Sequence, residues 1–207
     1  VFSLVKAIWL RPDPVPGADR LVMVLGDDSN SGLTDSFFFA ELGLERNLRG
    51  SGAFAGVAGQ VATSGAMAGL APHIVLAELG HEVETTGVTF QYFSILGLTI
   101  RGRDFNRDDD RYGAEAVAII SDRLWRARYN ADPGLIGKQI KLNDTPYTVA
   151  GIMPPRFSFP GDVDIWERLQ WDLTQHSRGA HFMEAIARLA PGVDLAQANR
   201  DTNALAA

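Results

Sequence analysis

The sequence predicts an α+β fold built from short, mostly antiparallel strands. Three features point to it. Apolar runs of four to six residues recur along the chain, as in Val117-Ala118-Ile119-Ile120, which is strand length. Two such runs flank Asn143-Asp144, a pair suited to a tight hairpin turn. Short helical stretches carry recognisable caps: Ser121 precedes a segment with Leu124, Trp125 and Tyr129, and Asp194 precedes an Ala-rich segment. Helical and strand signals are interspersed with no fixed period, so neither a repeat array nor a regular βαβ succession is expected.

Taken in order, residues 11–16 hold three prolines and form an extended connector. Residues 20–25 form a short strand, and 27–32 a polar turn. Asp35 caps a helix running to about Leu48, with Phe38, Leu42, Glu45 and Leu48 near helical spacing. Residues 51–70 give a strand with loops, anchored by Phe54, Val57 and Val61. Residues 74–79 and 83–88 pair around Gly80-His81. A short helix over 89–96 places Tyr92, Phe93 and Leu96 on one side and stops at Gly97. After strand 117–120 and its capped helix, runs 139–142 and 147–152 make the hairpin, and Met153-Pro154-Pro155 breaks it. Residues 163–166 and 181–189 are strands, the second with loosely kept alternation, and Pro191-Gly192 turns the chain into the last helix.

The bulk numbers limit function. With 207 residues, 46% hydrophobic and 21% charged, the chain buries a core and is not disordered. A net charge of −6 disfavours a nucleic-acid face. The charge is uneven: residues 1–96 carry 5 basic against 10 acidic groups, while 97–175 carry 11 against 12, a dense and balanced surface. The absence of cysteine removes disulfides, thiol catalysis and Cys-based zinc sites. No run reaches the ~18–20 apolar residues of a membrane span. The apolar start, Val1 to Leu10 running into Arg11-Pro12, fits either a buried element or the outer end of a membrane helix.

No catalytic, cofactor-binding or metal-ligating set is found. There is no Walker A loop and no Gly-x-Ser-x-Gly elbow. Gly50-Ser51-Gly52 with Gly56 misses dinucleotide spacing, and His81-Glu82 lacks the second histidine of a zinc helix. His176 and His181 have no third ligand nearby. Asp104, Asn106, Asp108 and Glu115 fall at positions 1, 3, 5 and 12 of a calcium-loop template, but Asp109 stands where glycine is needed and Arg111 where an apolar residue belongs. A solvated, arginine-balanced loop is expected there, without calcium. Trp125, Phe93 and Phe105 read as core anchors.

The order of motifs carries a resemblance. Val88-Thr89-Phe90-Gln91-Tyr92-Phe93-Ser94-Ile95-Leu96-Gly97-Leu98 resembles the "V-S-x-N-Y-F-x-V-L-G-V" segment of MacB-like periplasmic core domains, from the MacB/FtsX-type permeases. Arg101-Gly102-Arg103-Asp104-Phe105 is similar to its "x-G-R-x-F", and Val117 to Trp125 to its "V-A-V-I-S-x-x-L-W". Gly137 to Asn143 follows "G-x-x-I-x-L-N-G" with Asp144 for the last glycine, and Tyr147 to Pro154 follows "Y-T-V-V-G-V-M-P". Phe159-Pro160, Asp164-Ile165-Trp166 and Ala187 to Val193 ("A-R-L-K-P-G-V") complete the series. Leu10-Arg11-Pro12, Asp19 to Val22 and Phe54 to Ala58 resemble the family more weakly, and residues 59–80 resemble nothing in it.

The resemblance implies a porter-like α+β subdomain formed by 1–96 and 176–207, with a β-rich, sabre-like subdomain, 97–175, inserted. It implies a non-enzymatic domain on the periplasmic face of the bacterial inner membrane. Its partners would be the membrane helices of the same permease, a cytoplasmic ATPase acting through them, and a periplasmic adaptor or substrate protein. The work implied is mechanotransmission, in efflux, export or lipoprotein release. An extracytoplasmic ligand-binding or sensor domain, with a pocket near Trp166 and Trp171, is the alternative.

Overall fold

The structure, a computed structural model, describes residues 2–6, 15–26, 48, 50–62, 75–76, 80–159, 161–169 and 184–204. Within these residues the strands are β1 (Phe2–Lys6), β2 (Leu21–Gly26), β3 (Phe54–Ala62), β4 (Val75–Leu76), β5 (His81–Glu82), β6 (Thr85–Val88), β7 (Arg101–Gly102), β8 (Val117–Ile120), β9 (Gln139–Leu142), β10 (Thr145–Ile152), β11 (Ile165–Arg168) and β12 (Glu184–Leu189). Among the described residues three α-helices accompany them: α1 (Tyr92–Leu96), α2 (Asp122–Tyr129) and α3 (Leu195–Ala204). The strands hydrogen-bond in the order β1-β2-β12-β3-β6-β11-β8-β10-β9-β4-β5, with β7 added to β10. Among the described strands only β6–β11 and β8–β10 run parallel. The fold is α+β, as the sequence predicts.

Alternation along the strands sorts side chains to two faces. In β8, Val117 and Ile119 enter one cluster while Ala118 and Ile120 enter another. In β12, Ile186 points to the first cluster and Ala185 and Ala187 to a third. One face therefore carries a single core under α1, from Leu21, Ala58 and Val88 to Val117, Met153 and Trp166. The opposite face carries two cores, one with Leu124 and Trp125 of α2 and one with Ala198 and Leu195 of α3. This explains the loose alternation in β12: covered on both faces, it tolerates small apolar residues at consecutive positions.

The strands of 97–175 and those of the flanking segments are thus not two sheets. Hydrogen bonding is continuous through β6–β11, and only one face shows two cores. Residues 75–76 and 80–83, grouped by sequence with the first segment, also reach the far end. Leu76 pairs with Leu142 of β9, and Leu76 and Val83 pack with the α2 core. The expected pairing of 74–79 with 83–88 changes accordingly: β4 pairs with β5, while β6 lies between β3 and β11.

Local signals set the element ends. Ser121 Oγ accepts the Leu124 amide at 3.0 Å and starts α2. Asp194 Oδ1 accepts the Gln197 amide at 2.7 Å at the start of α3. Gly97 ends α1 in the left-handed region, φ 71°. The backbones approach closely where β7 pairs with β10: a Cβ on Gly102 would lie 2.6 Å from the Ala150 carbonyl oxygen, and one on Gly151 2.9 Å from those of Arg101 and Arg103. The β8–β10 register shifts at that point, between Val149 and Gly151, so that Val149 and Ile152 both face the α2 core.

The apolar start resolves as a strand over Phe2–Lys6, with Leu4 buried; the membrane-helix alternative does not hold for these residues. The helix expected over 35–48 lies outside the described residues, apart from Leu48, as do His176, His181 and Trp171. Among the described residues no helix is long and apolar enough to cross a membrane.

Candidate functional site: the junction across β6 and β11

The sheet passes from one end of the chain's fold to the other at β6 and β11, which pair in register from Ile165↔Thr85 to Arg168↔Val88. Backbone bonds extend the seam: the amides of Asp164 and Ile165 donate to Glu84 O at 2.8 and 3.1 Å, and Leu169 N donates to Val88 O at 3.2 Å. Arg123 of α2 pairs with Asp164 at 2.8 Å. An aromatic row crosses the same line beneath α1. Phe93 meets Tyr92 edge-on at 5.2 Å and Trp166 at 5.9 Å, and Phe105 lies 5.8 Å away. Trp166 is fully buried and packs on Phe157. It is a core residue.

Above the aromatics sits a charged cluster. Arg168 ends β11 with its side chain 1% exposed. It donates to Val88 O, pairs with Asp110, and lies 5.2 Å over the Phe105 ring. Burial draws its pKa down to about 10, opposed by Asp109 and Asp104, so it remains a cation at neutral pH. Arg103 grips both oxygens of Asp109, at 2.7 and 3.0 Å. Burial acts to raise Asp109, but the Arg103 bonds and the Asn106 amide hold it below the ordinary carboxylate value. Asp110 also accepts the Phe90 amide at 3.5 Å. The loop from 103 to 111 is thereby pinned across the seam.

This is how the calcium-like pattern is used. Asn106 Oδ1 caps the 3-10 turn Arg107–Asp110, accepting from Asp108 N at 2.8 Å and Asp109 N at 3.3 Å. Asp109, in the position glycine would hold, closes the capping box by accepting Asn106 N at 2.8 Å. Glu115 accepts from Thr148 Oγ1 on β10, at 2.5 Å. Among the described residues no group of three acidic or histidine side chains is placed to hold a metal.

Two further ties join distant parts of the chain. Arg188 of β12 donates to Ile95 O at 2.6 Å, Gly17 O at 2.9 Å and Pro16 O at 2.9 Å, fixing the connector before β2 and the end of α1 to one strand. Leu4 N of β1 donates to Asn199 Oδ1 of α3 at 2.8 Å, so the first strand and the last helix are held side by side. Beneath α1, the buried Tyr92 hydroxyl bonds Gln60, whose amide donates to Glu184 at 2.5 Å. Burial, with Glu184 nearby, pushes the Tyr92 hydroxyl well up, so it stays a donor.

Sequence reasoning named Phe93, Phe105 and Trp125 as core anchors, and all three are buried. It did not single out Arg168 or Arg188. The available signal was a basic residue at an inward position of an apolar strand, which needs partners to be tolerated.

The cluster is built of carboxylates and arginines. Its bonds hold backbone segments together. No curated protein matches the chain. The periplasmic region of MacB from Actinobacillus actinomycetemcomitans is similar in fold, with TM-score 0.64 at 16% identity, over 90% of this chain and 81% of that one. The extracellular domain of the noncanonic ABC-type transporter YknZ from Gram-positive bacteria gives TM-score 0.55 at 14% identity, over 89% and 90%. Residues 1–205 match the family described as the MacB-like periplasmic core domain, and the chain belongs to that family of ABC transporter permease domains.

Proposed function

We propose that the domain transmits motion. In this reading, displacement of the permease's membrane helices, driven by ATP hydrolysis in a cytoplasmic ATPase, enters through β1 and α3. It is carried across the sheet to an extracytoplasmic substrate or adaptor, in a process of the efflux, export or lipoprotein-release type. The observation that supports it is the bond between Leu4 and Asn199 at one edge of an unbroken strand path. Force applied to β1 and α3 meets one edge of the sheet, whose eleven neighbouring strands span about 50 Å at ~4.8 Å each. Hydrogen-bonded strands resist shear, so the far edge follows the near one.

The division into a porter-like subdomain, 1–96 with 176–207, and a sabre-like one, 97–175, is retained here for the two cores on the α2–α3 face, with β6–β11 as the line between them and Leu76 and Val83 crossing to the sabre-like side. A slack test separates transmission from simple ligand binding. A flexible Gly-Ser insertion after Ala204 in the full-length permease should abolish transport while ATP hydrolysis continues. Unchanged transport would favour the sensor reading instead.

A further inference from the structure

We propose that the outer side of α2, together with Arg101 of β7, is a docking surface for an acidic segment of a protein partner. Arg101, Arg123 and Arg126 present it, and Trp125 is its platform. The Trp125 indole is buried and its N–H is taken by Asp132 O at 2.8 Å, so the ring offers a partner little of itself. Its effect is to hold two cations. The guanidinium carbons of Arg101 and Arg126 lie 4.9 and 5.5 Å from the ring centre, within the range of cation–π attraction. Both arginines are exposed.

The placing of the matching acids gives this surface its sign. Arg126 pairs with Asp122, and Arg123 with Asp164, each at 2.8 Å. In both pairs the carboxylate lies beneath and the guanidinium outside. The side chains of Asp122 and Asp164 are 14% and 13% exposed, those of Arg126 and Arg123 58% and 62%. Three residues apart on α2, Arg123 and Arg126 are neighbours on its surface. Arg101 has no carboxylate partner among the described residues. An approaching group therefore meets guanidinium N–H donors first, and one of these cations is not neutralised. The chain as a whole carries −6, so the surface opposes the sign of its own protein.

Guanidiniums held in place can bond a carboxylate through two parallel N–H···O contacts at little further ordering cost. The surface also lies at one end of the sheet. Trp125 packs in the core of Ile140 and Leu142, and β7 pairs with β10, beside β9 and remote from β1 in the strand order. The choice of a protein carboxylate over a lipid phosphate rests on the transmission reading, which puts the membrane at the β1–α3 edge. The anion-binding surface itself does not rest on it.

A fluorescein-labelled hexaglutamate peptide is the probe, its anisotropy followed against the full-length permease in nanodiscs of neutral phosphatidylcholine. Arg101→Gln should weaken binding about tenfold, the loss of one charge-assisted contact. Arg126→Gln gives up only an exposed ion pair within the fold and should weaken binding as well, so either variant can decide if the other misfolds. Arg200→Gln, the same charge change at an exposed position of α3, should bind like the parent. No binding by the parent, no loss in the first two variants, or an equal loss in all three would overturn the proposal. In nanodiscs of anionic phosphatidylglycerol the ratio between parent and Arg101→Gln should persist. A ratio that vanishes there would show headgroups seated on the arginines, and would overturn both the protein partner and the placing of α2 away from the membrane.

Discussion

Asn199, on the last helix, accepts the backbone amide of Leu4, on the first strand, at 2.8 Å. Leu4 is buried, so its N–H has no ready access to water. Asn199→Ala should destabilise the chain by ~1–3 kcal/mol, the cost of an unsatisfied buried donor. Asn199→Asp keeps the acceptor and should stay closer to the parent. Denaturant titration of both variants checks this, and equal losses would show that the bond to Leu4 is not what matters at this position.

Trp125 is buried in the α2 core and its indole N–H donates to Asp132 O at 2.8 Å. Trp125→Ala should cost ~3–5 kcal/mol. Trp125→Phe should cost less, losing the hydrogen bond but little of the packing. Thermal unfolding of the two variants would contradict the core assignment if both melt with the parent.

Gly151→Ala should be disproportionately damaging for so small a change. The added methyl would meet Ile100 Cγ2 and two carbonyl oxygens of the β7 segment. Carbonyls in a strand cannot swing away as a side-chain tip can, so a loss of ~1–3 kcal/mol or more is expected. Gly161→Ala, where a Cβ meets nothing within 4 Å, is the control and should be nearly neutral.

Stability should be higher at pH 5 than at pH 7.5. Burial raises the carboxyls of Asp104, Asp164 and Glu167. Between the unfolded value near ~4 and their folded values, the native state binds more protons than the unfolded chain, so stability falls as pH rises through that window. Asp109 has the opposite sign: its depressed pKa contributes stability that is lost only as pH drops below about 4. Urea midpoints measured from pH 3 to 8 should pass through a maximum on the acidic side of neutral, and a steady rise toward pH 8 would contradict the burial of these groups.

Local features of this fold were legible in the sequence because neighbouring residues decide them. Ser121 and Asp194 cap helices whichever partner those helices find, Gly97 stops α1, and Asn143 at φ 51° turns the β9–β10 hairpin. What joins the two ends of the sheet was not legible. Parallel β6 and β11 are about eighty residues apart, and nothing in Thr85 to Val88 names Ile165 to Arg168 as its partner. Leu76 likewise looks like any strand residue until β9 supplies its neighbour. The loop 103–111 shows the reverse problem: its acids were visible, but their use depends on Arg168, which arrives from a distant strand.

The central claim is that displacement at the β1–α3 edge reaches the far end of the sheet. Spin labels placed at two exposed positions, Gln197 on α3 and Asp144 in the β9–β10 turn, test it in the full-length permease reconstituted with its ATPase. Between nucleotide-free and ATP-trapped states, the depth of the Asp144 label relative to the bilayer should change in step with that at Gln197. An Asp144 label that stays in place while the Gln197 label moves would contradict transmission through the sheet.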